Sequence, residues 1–250
     1  MSKTALVTGA SSGIGREIAR ELGKRGFRVI LTARREDRLK AVAQELDDST
    51  YIVCDLSERE ECFRLYDEVK NENISVLVNG AGFGYVGEFT EIPLETELEM
   101  IDTNITAVHI LTKLFAKDFV NKGRGYILNI ASSAGLMYGG PMMATYYATK
   151  AYVVNLTSAV YNELKNTGVH ISALCPGPVD TEFNDVANCH FTVKAITSEE
   201  CAKQAVKGMF EKKMIIIPEK KMKFLSSAVR LVPRKLVVKV TGGIQEKKVK

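Results

Sequence analysis

The feature that most constrains this chain is an alternation that persists through residue 217: a short apolar run, then a longer stretch of helical periodicity, then another apolar run. The apolar runs stand at residues 4–8, 28–32, 50–54, 76–79, 125–131, 170–175 and 214–217. Runs this short, with little polar alternation, read as strands covered on both faces. Helical patterns lie between them near 13–25, 35–46, 57–72, 94–121, 146–167 and 198–211. Gly26, Gly123 and Gly168 stand where a helix would hand over to a strand. Repeated βαβ units imply a parallel sheet with right-handed crossovers. The spacing therefore predicts an α/β chain: one Rossmann-like, doubly wound domain over residues 1–218, with a seven-stranded parallel sheet flanked by helices. No repeat, low-complexity segment or linker interrupts it.

Composition is ordinary for a globular protein, with 46% hydrophobic and 26% charged residues. No apolar run reaches the roughly 18–20 residues that a membrane span needs. The N-terminus enters its first strand almost at once, so no signal peptide is expected. The five cysteines form no C-x-x-C pair, and reduced thiols in a cytoplasmic protein are the simplest reading. The three histidines are scattered, and no metal site is expected.

The net charge of +4 is unevenly spread. Residues 219–250 hold ten Lys/Arg and two Asp/Glu, a local balance of +8, which leaves −4 for the rest. Met222, Leu225, Val229 and Val232 or Pro233 approximate a helical stripe there, followed by the mixed basic and apolar run from Arg234 to Val240. This predicts a basic, amphipathic C-terminal helical extension over 219–250 that is not an independent domain. It either packs on the body or a partner subunit, or it makes weak contact with an anionic membrane surface. Charge alone allows contact with nucleic acid, but no readout motif supports specific binding.

The first strand–helix junction reads Thr8-Gly9-Ala10-Ser11-Ser12-Gly13-Ile14-Gly15. Glycines let a backbone approach a pyrophosphate, and the free N–H groups of a helix N-terminus stabilise its charge. A tight structural turn would use glycines as well. The second strand ends Ala33-Arg34-Arg35. An acid there would bind both ribose hydroxyls. Two guanidiniums match a 2′-phosphate instead, so NADP(H) is the expected cofactor.

Tyr-x-x-x-Lys occurs three times, at Tyr66/Lys70, Tyr146/Lys150 and Tyr161/Lys165. Only Tyr146 follows shortly after a strand that ends in a serine pair, Asn129-Ile130-Ala131-Ser132-Ser133-Ala134-Gly135. A residue at the carboxyl end of a parallel strand faces the crevice where ligands bind. The other two pairs read as helix-face contacts.

These ordered motifs resemble the short-chain dehydrogenase/reductase family over about residues 3–215. Gly9, Ser11, Ser12, Gly13, Ile14 and Gly15 look like its cofactor turn. Asp55-Leu56 is similar to its adenine-contacting pair. Asn79-Gly80-Ala81-Gly82 resembles its N-N-A-G stretch, with Gly80 in place of the second Asn, and implies contacts from Asn79, Ala81 and Gly82. Asn104 falls where the family keeps a helix-bending catalytic Asn. Pro176, Gly177, Val179 and Thr181 match the segment that closes over the nicotinamide, with Thr181 as a carboxamide contact. Ser132 fits the family's local frame S-x-A-G, whereas Ser133 fits its usual thirteen-residue step to the tyrosine. Ser132 is taken, with a one-residue insertion after it, and Ser133 stays open.

The resemblance implies a catalytic set of Asn104, Ser132, Tyr146 and Lys150, with Tyr146 and Lys150 also touching cofactor. An ammonium one helical turn away lowers a phenol's pKa, so Tyr146 becomes the acid in reduction and the base in oxidation. Ser132 would hold the substrate oxygen, and Asn104 a water leading from Lys150 to solvent. The expected function is interconversion of a ketone or aldehyde with an alcohol. Leu136, Met137, Tyr138, Met142, Met143, Phe183, Val186, Phe191 and Val193 suggest an apolar substrate. A 3-oxoacyl-carrier-protein reductase is the alternative enzyme, and a nucleotide-sensing regulatory protein the alternative of another class. Apolar residues on the helices at 94–121 and 146–167 predict a homodimer, with a tetramer second.

Overall fold

The structure, a computed structural model, describes residues 3–183 and 195–245. β1 (Thr4–Thr8) leads into α1 (Gly13–Lys24), β2 (Arg28–Ala33) into α2 (Glu36–Gln44), and β3 (Ser49–Val53) into α3 (Arg59–Val69). β4 (Ile74–Asn79) precedes a long helix in three parts: α4 (Leu94–Ile101), a π-helical segment (Asp102–Ala107) and α5 (Val108–Lys122). β5 (Gly125–Ile130), α6 (Ala144–Glu163) and β6 (Val169–Leu174) follow. Next come the short strands β7 (Val179–Asp180) and β8 (Ile196–Thr197), then α7 (Ser198–Phe210) and β9 (Ile215–Ile216). The described residues end with α8 (Lys220–Ala228), a 3-10 turn (Val229–Leu231) and α9 (Arg234–Gln245).

Seven strands form one parallel sheet in the order β3-β2-β1-β4-β5-β6-β9. Successive strand residues point to opposite faces, and both faces are covered. In β1, Ala5 and Val7 join one core with Ile18, Leu22, Leu39, Val206 and Met209. Leu6 joins the other, with Leu65, Val69, Leu111, Phe115 and Phe119. Two-sided burial is why these strands read as continuous apolar runs. Gly26, Gly123 and Gly168 all have positive φ, as their places between helix and strand require.

Strand order reverses between β1 and β4. The carboxyl ends of those strands mark a crevice where open α/β sheets bind ligands. Four side chains lock β4 and β5 to the helices above them. Asn79 Nδ2 donates to Asn129 Oδ1 at 2.8 Å and to Thr112 Oγ1 at 3.0 Å. Asn129 Nδ2 donates to Thr157 Oγ1 at 3.0 Å. All four residues are buried, so each bond is shielded from water.

The helix expected at 94–121 contains the π-helical interruption, centred on the fully buried Asn104. Its side chain ties the interruption to neighbouring segments. Asn104 Nδ2 donates to Phe83 O at 2.8 Å and to Thr149 Oγ1 at 3.1 Å, and Asn104 Oδ1 accepts from Phe83 N at 3.0 Å. The apolar stripes offered as a dimer surface are partly spent within the subunit. Val108 and Leu111 are buried, and Val160 and Leu164 pack against the core, while Tyr152 remains exposed.

Candidate active site

One cavity of about 630 Å³ runs along the carboxyl ends of the strands. Its walls include Gly9, Ser11, Ser12, Gly13, Ile14, Gly15, Arg34, Arg35, Asp55, Leu56, Ala81 and Gly82 at one end. Ser132, Ser133, Tyr146, Lys150, Pro176, Gly177, Val179 and Thr181 line its middle. Asn79 and Asn104 do not line it. Asn79 serves the strand network, and Asn104 lies behind Gly82, where an added Cβ would sit 2.7 Å from its Oδ1.

The glycine turn is built by close approach. A Cβ on Gly9, whose φ is +67°, would lie 2.6 Å from the Gly80 backbone, and one on Gly15 would lie 2.3 Å from Gly9 O. Thr8 Oγ1 ties the same two strand ends together, accepting from Gly80 N at 3.0 Å and Ala81 N at 3.2 Å. The turn thus delivers the first turn of α1 to the cavity. No side chain caps that turn and no acid lies in it, so its N–H groups and its positive end face the cavity unopposed. An anionic group such as a dinucleotide pyrophosphate fits there.

The two arginines after β2 have different surroundings. Arg34 Nη1 bonds Glu99 Oε1 at 2.8 Å and lies 3.8 Å from Asp55 Oδ2. Arg35 turns towards the glycine loop, where its Nη2 donates to Ser12 Oγ at 2.8 Å and Ser11 Oγ at 3.2 Å. Arg35 and Arg38 both pair with Glu182, and the bond from Arg38, then that from Arg35, holds this carboxyl below its ordinary range. Sequence reasoning missed Arg38 and Glu182. Arg38 sits one turn along α2 from the Arg34-Arg35 pair, and that spacing was the available signal.

Tyr146 and Lys150 lie on one face of α6, at its first turns. Lys150 Nζ donates to Ile130 O at 3.0 Å and stands 5.8 Å from the centre of the Tyr146 ring. Burial pushes Lys150 down to about 8. The other two Tyr-x-x-x-Lys pairs have different surroundings. Tyr66 donates to Asp118 Oδ2 at 2.7 Å, and burial, helped by that carboxylate, pushes it up to about 12. Tyr161 reaches Lys212 O at 3.5 Å, and both tyrosines lie away from the cavity.

Ser132 adopts an extended backbone and caps the 3-10 turn Ser133–Leu136, its Oγ accepting from Ala134 N at 3.1 Å. Beyond Tyr146 the cavity becomes apolar, with Met137, Met143, Phe183, Met222, Leu225 and Ile244. Leu136, Tyr138 and Met142 are not on this wall, and Val186, Phe191 and Val193 fall outside the described residues.

The last helices supply the far wall, which the sequence did not reveal. Val237, Thr241 and Gln245 recur every fourth residue on the buried face of α9. Gln245 Nε2 donates to Tyr147 Oη at 2.7 Å, and Gly177 N donates to Glu219 Oε2 at 3.1 Å just before α8. Two of those three α9 side chains are polar, so a search for an apolar stripe passes over them.

This geometry agrees with the comparisons. The family model for short chain dehydrogenases matches residues 3–190. The 3-oxoacyl-[acyl-carrier-protein] reductase FabG of Rickettsia prowazekii is 36% identical over 187 residues, covering 74% of this chain and 76% of the relative. A short-chain dehydrogenase from Sphingobium yanoikuyae, solved in complex with NADPH, superposes with a TM-score of 0.84 at 29% identity, covering 91% of this chain and 94% of that one. A Burkholderia phymatum protein of the same fold, in complex with NAD, gives a TM-score of 0.83 at 23% identity, with 96% and 95% covered. The fold therefore holds either dinucleotide, and the choice rests on local residues. The chain belongs to the short-chain dehydrogenase/reductase family of oxidoreductases.

Proposed function

We propose that the protein is an NADP(H)-dependent carbonyl reductase and alcohol dehydrogenase for apolar substrates. The observation that carries this reading is the placement of Tyr146 and the buried Lys150 between an anion cradle and an apolar wall, all in one cavity. The α1 N-terminus and Arg35 would hold the cofactor phosphates, with Thr181 and Val179 at the nicotinamide end. When bound, the nicotinamide supplies or accepts the hydride. Tyr146 donates its phenolic proton to the substrate oxygen in reduction and takes it back in oxidation. The Lys150 ammonium favours the phenolate. Ser132 donates a hydrogen bond to the same oxygen as negative charge grows there. Asn104 holds the Phe83 backbone and Thr149 in place, so its role is positioning. A screen of NADPH oxidation against ketones of increasing size tests the reading, and no turnover on any apolar ketone would refute it.

A 3-oxoacyl-carrier-protein reductase is the second reading, favoured by the similarity to the Rickettsia protein. Turnover of 3-oxoacyl carrier thioesters far above that of free ketones would select it. A homodimer remains our proposed assembly, with a tetramer second, and light scattering at micromolar concentration decides between them.

Cofactor choice rests mainly on Arg35. Arg34 faces two carboxylates, whereas Arg35, which among the described residues pairs with Glu182 alone, also donates to Ser11 and Ser12 of the glycine loop. Losing a charged hydrogen bond costs about 1.5–3 kcal/mol. Arg35→Ala should therefore raise the NADPH dissociation constant about 10- to 150-fold and leave NADH binding almost unchanged. Arg34→Ala should do less. Fluorescence titration of both cofactors checks this, and equal NADPH and NADH affinities for the unaltered protein would refute it.

Binding should also depend on pH through Lys150. Below about 8 its amine is charged in the free protein, and above that value it loses the proton. The charged form favours an anionic cofactor. NADPH affinity should thus fall as pH rises through 8, approaching tenfold per unit for one coupled proton. Lys150→Arg keeps its charge, and the same titration should then show no break.

A further inference from the structure

From Lys220 to Gln245 the chain carries seven basic residues and no acid. The same stretch exposes large apolar side chains. Leu231 is 89% exposed, Phe224 77%, Val240 56% and Leu236 52%. On α9 these residues are ordered by face. Leu236, Val240 and Ile244 form an exposed apolar stripe, four residues apart. Lys235 and Lys239 flank it on one side. Val237, Thr241 and Gln245 lie on its other side and are buried, the last two on the cavity wall. Lys220, Lys221, Lys235 and Lys239 are exposed and form no ion pair among the described residues. Leu225 and Ile244 are both exposed and on the cavity wall, so this surface borders the cavity.

We infer that the face formed by α8 and α9 docks on an anionic lipid bilayer. An apolar stripe bordered by lysines suits the boundary between acyl chains and headgroups. The leucines and Phe224 enter the apolar layer while the ammonium groups stay at the level of lipid phosphates. A second copy of the chain suits the surface poorly. A two-fold contact would bring the same acid-free basic face against itself, with like charges opposed. Docking would set this border of the cavity against the membrane. Resting on the function proposed above, that makes the substrate an apolar carbonyl compound dissolved in lipid.

Flotation of the purified full chain with vesicles separates docking from catalysis. Phosphatidylcholine vesicles containing phosphatidylglycerol should bind the protein at least tenfold more strongly than pure phosphatidylcholine, and high salt should weaken that binding. The double variant Phe224→Ser/Leu231→Ser, and separately Leu236→Ser/Val240→Ser, should reduce binding at least tenfold with NADPH titration unchanged. Lys235→Ser/Lys239→Ser should remove most of the preference for anionic lipid. No flotation with anionic vesicles would overturn docking, as would equal binding to both vesicle types. So would serine variants that still float but shift to a smaller oligomer in light scattering. Normal flotation together with no turnover on any ketone would leave docking standing and remove only the substrate reading.

Discussion

Tyr146→Phe is expected to lower turnover by about 10²–10⁴-fold, the usual cost of removing a positioned acid–base group. The phenyl ring should keep its packing against Phe183, whose ring centre lies 5.5 Å away, so the fold and NADPH binding should survive. Tyr66→Phe and Tyr161→Phe act as internal controls. Tyr66 belongs to a partly buried bond with Asp118, and its loss should appear in stability rather than rate. Steady-state kinetics on the best ketone, paired with NADPH titration, checks all three. Unchanged turnover in Tyr146→Phe, with chemistry rate-limiting, would remove Tyr146 from the mechanism.

Ser132→Ala should cost about 10²–10³-fold, the scale for one donor aimed at a developing oxyanion. Ser132 Oγ accepts from Ala134 N, which orients the hydroxyl while leaving its own hydrogen to donate. The same substitution removes the cap of a short 3-10 turn, worth about 1 kcal/mol in stability. That loss moves the unfolding midpoint, so kinetics measured well below it isolates the chemical role. Ser133→Ala, with the Ser133 backbone N still bonded to Pro176 O, should change turnover little. The reverse ranking would show that the step of thirteen residues, and not the local frame, marks the functional serine.

Much of the fold was legible because both signals that specify it are local. All seven strands of the large sheet were readable as apolar runs, with ends displaced by one or two residues. The helices beginning at Gly13 and Ser198 start where the helical patterns near 13–25 and 198–211 place them, and Thr197 Oγ1 caps the second by accepting from Glu200 N at 3.1 Å. β7 and β8 were not legible, since two residues per strand leave no period to read. Most of the site residues gathered around one cavity because they stand at carboxyl ends of strands, which a parallel sheet aligns. What escaped depends on contacts between distant segments. Glu182 meets Arg38 across 144 residues, and Gln245 meets Tyr147 across 98. No periodicity encodes such pairs. Nor does any local pattern show that the Asn79 side chain points into the strand network.

The far wall of the cavity comes from the last described helix, and this orders events during synthesis. The residues of the anion cradle and of the catalytic cluster all lie between Gly9 and Thr181, and they leave the ribosome before α8 and α9 exist. At translation rates of about 5–20 residues per second, the interval from Thr181 to Gln245 is on the order of 3–13 s. Until then the part of the cavity walled by Met222, Leu225, Thr241, Ile244 and Gln245 stays open to water. Dinucleotide captured early would stabilise the part already made, because anything that binds only the folded form favours it. A premature stop after β9 would remove the chamber wall that α8 and α9 supply while leaving every residue of the catalytic cluster in the chain.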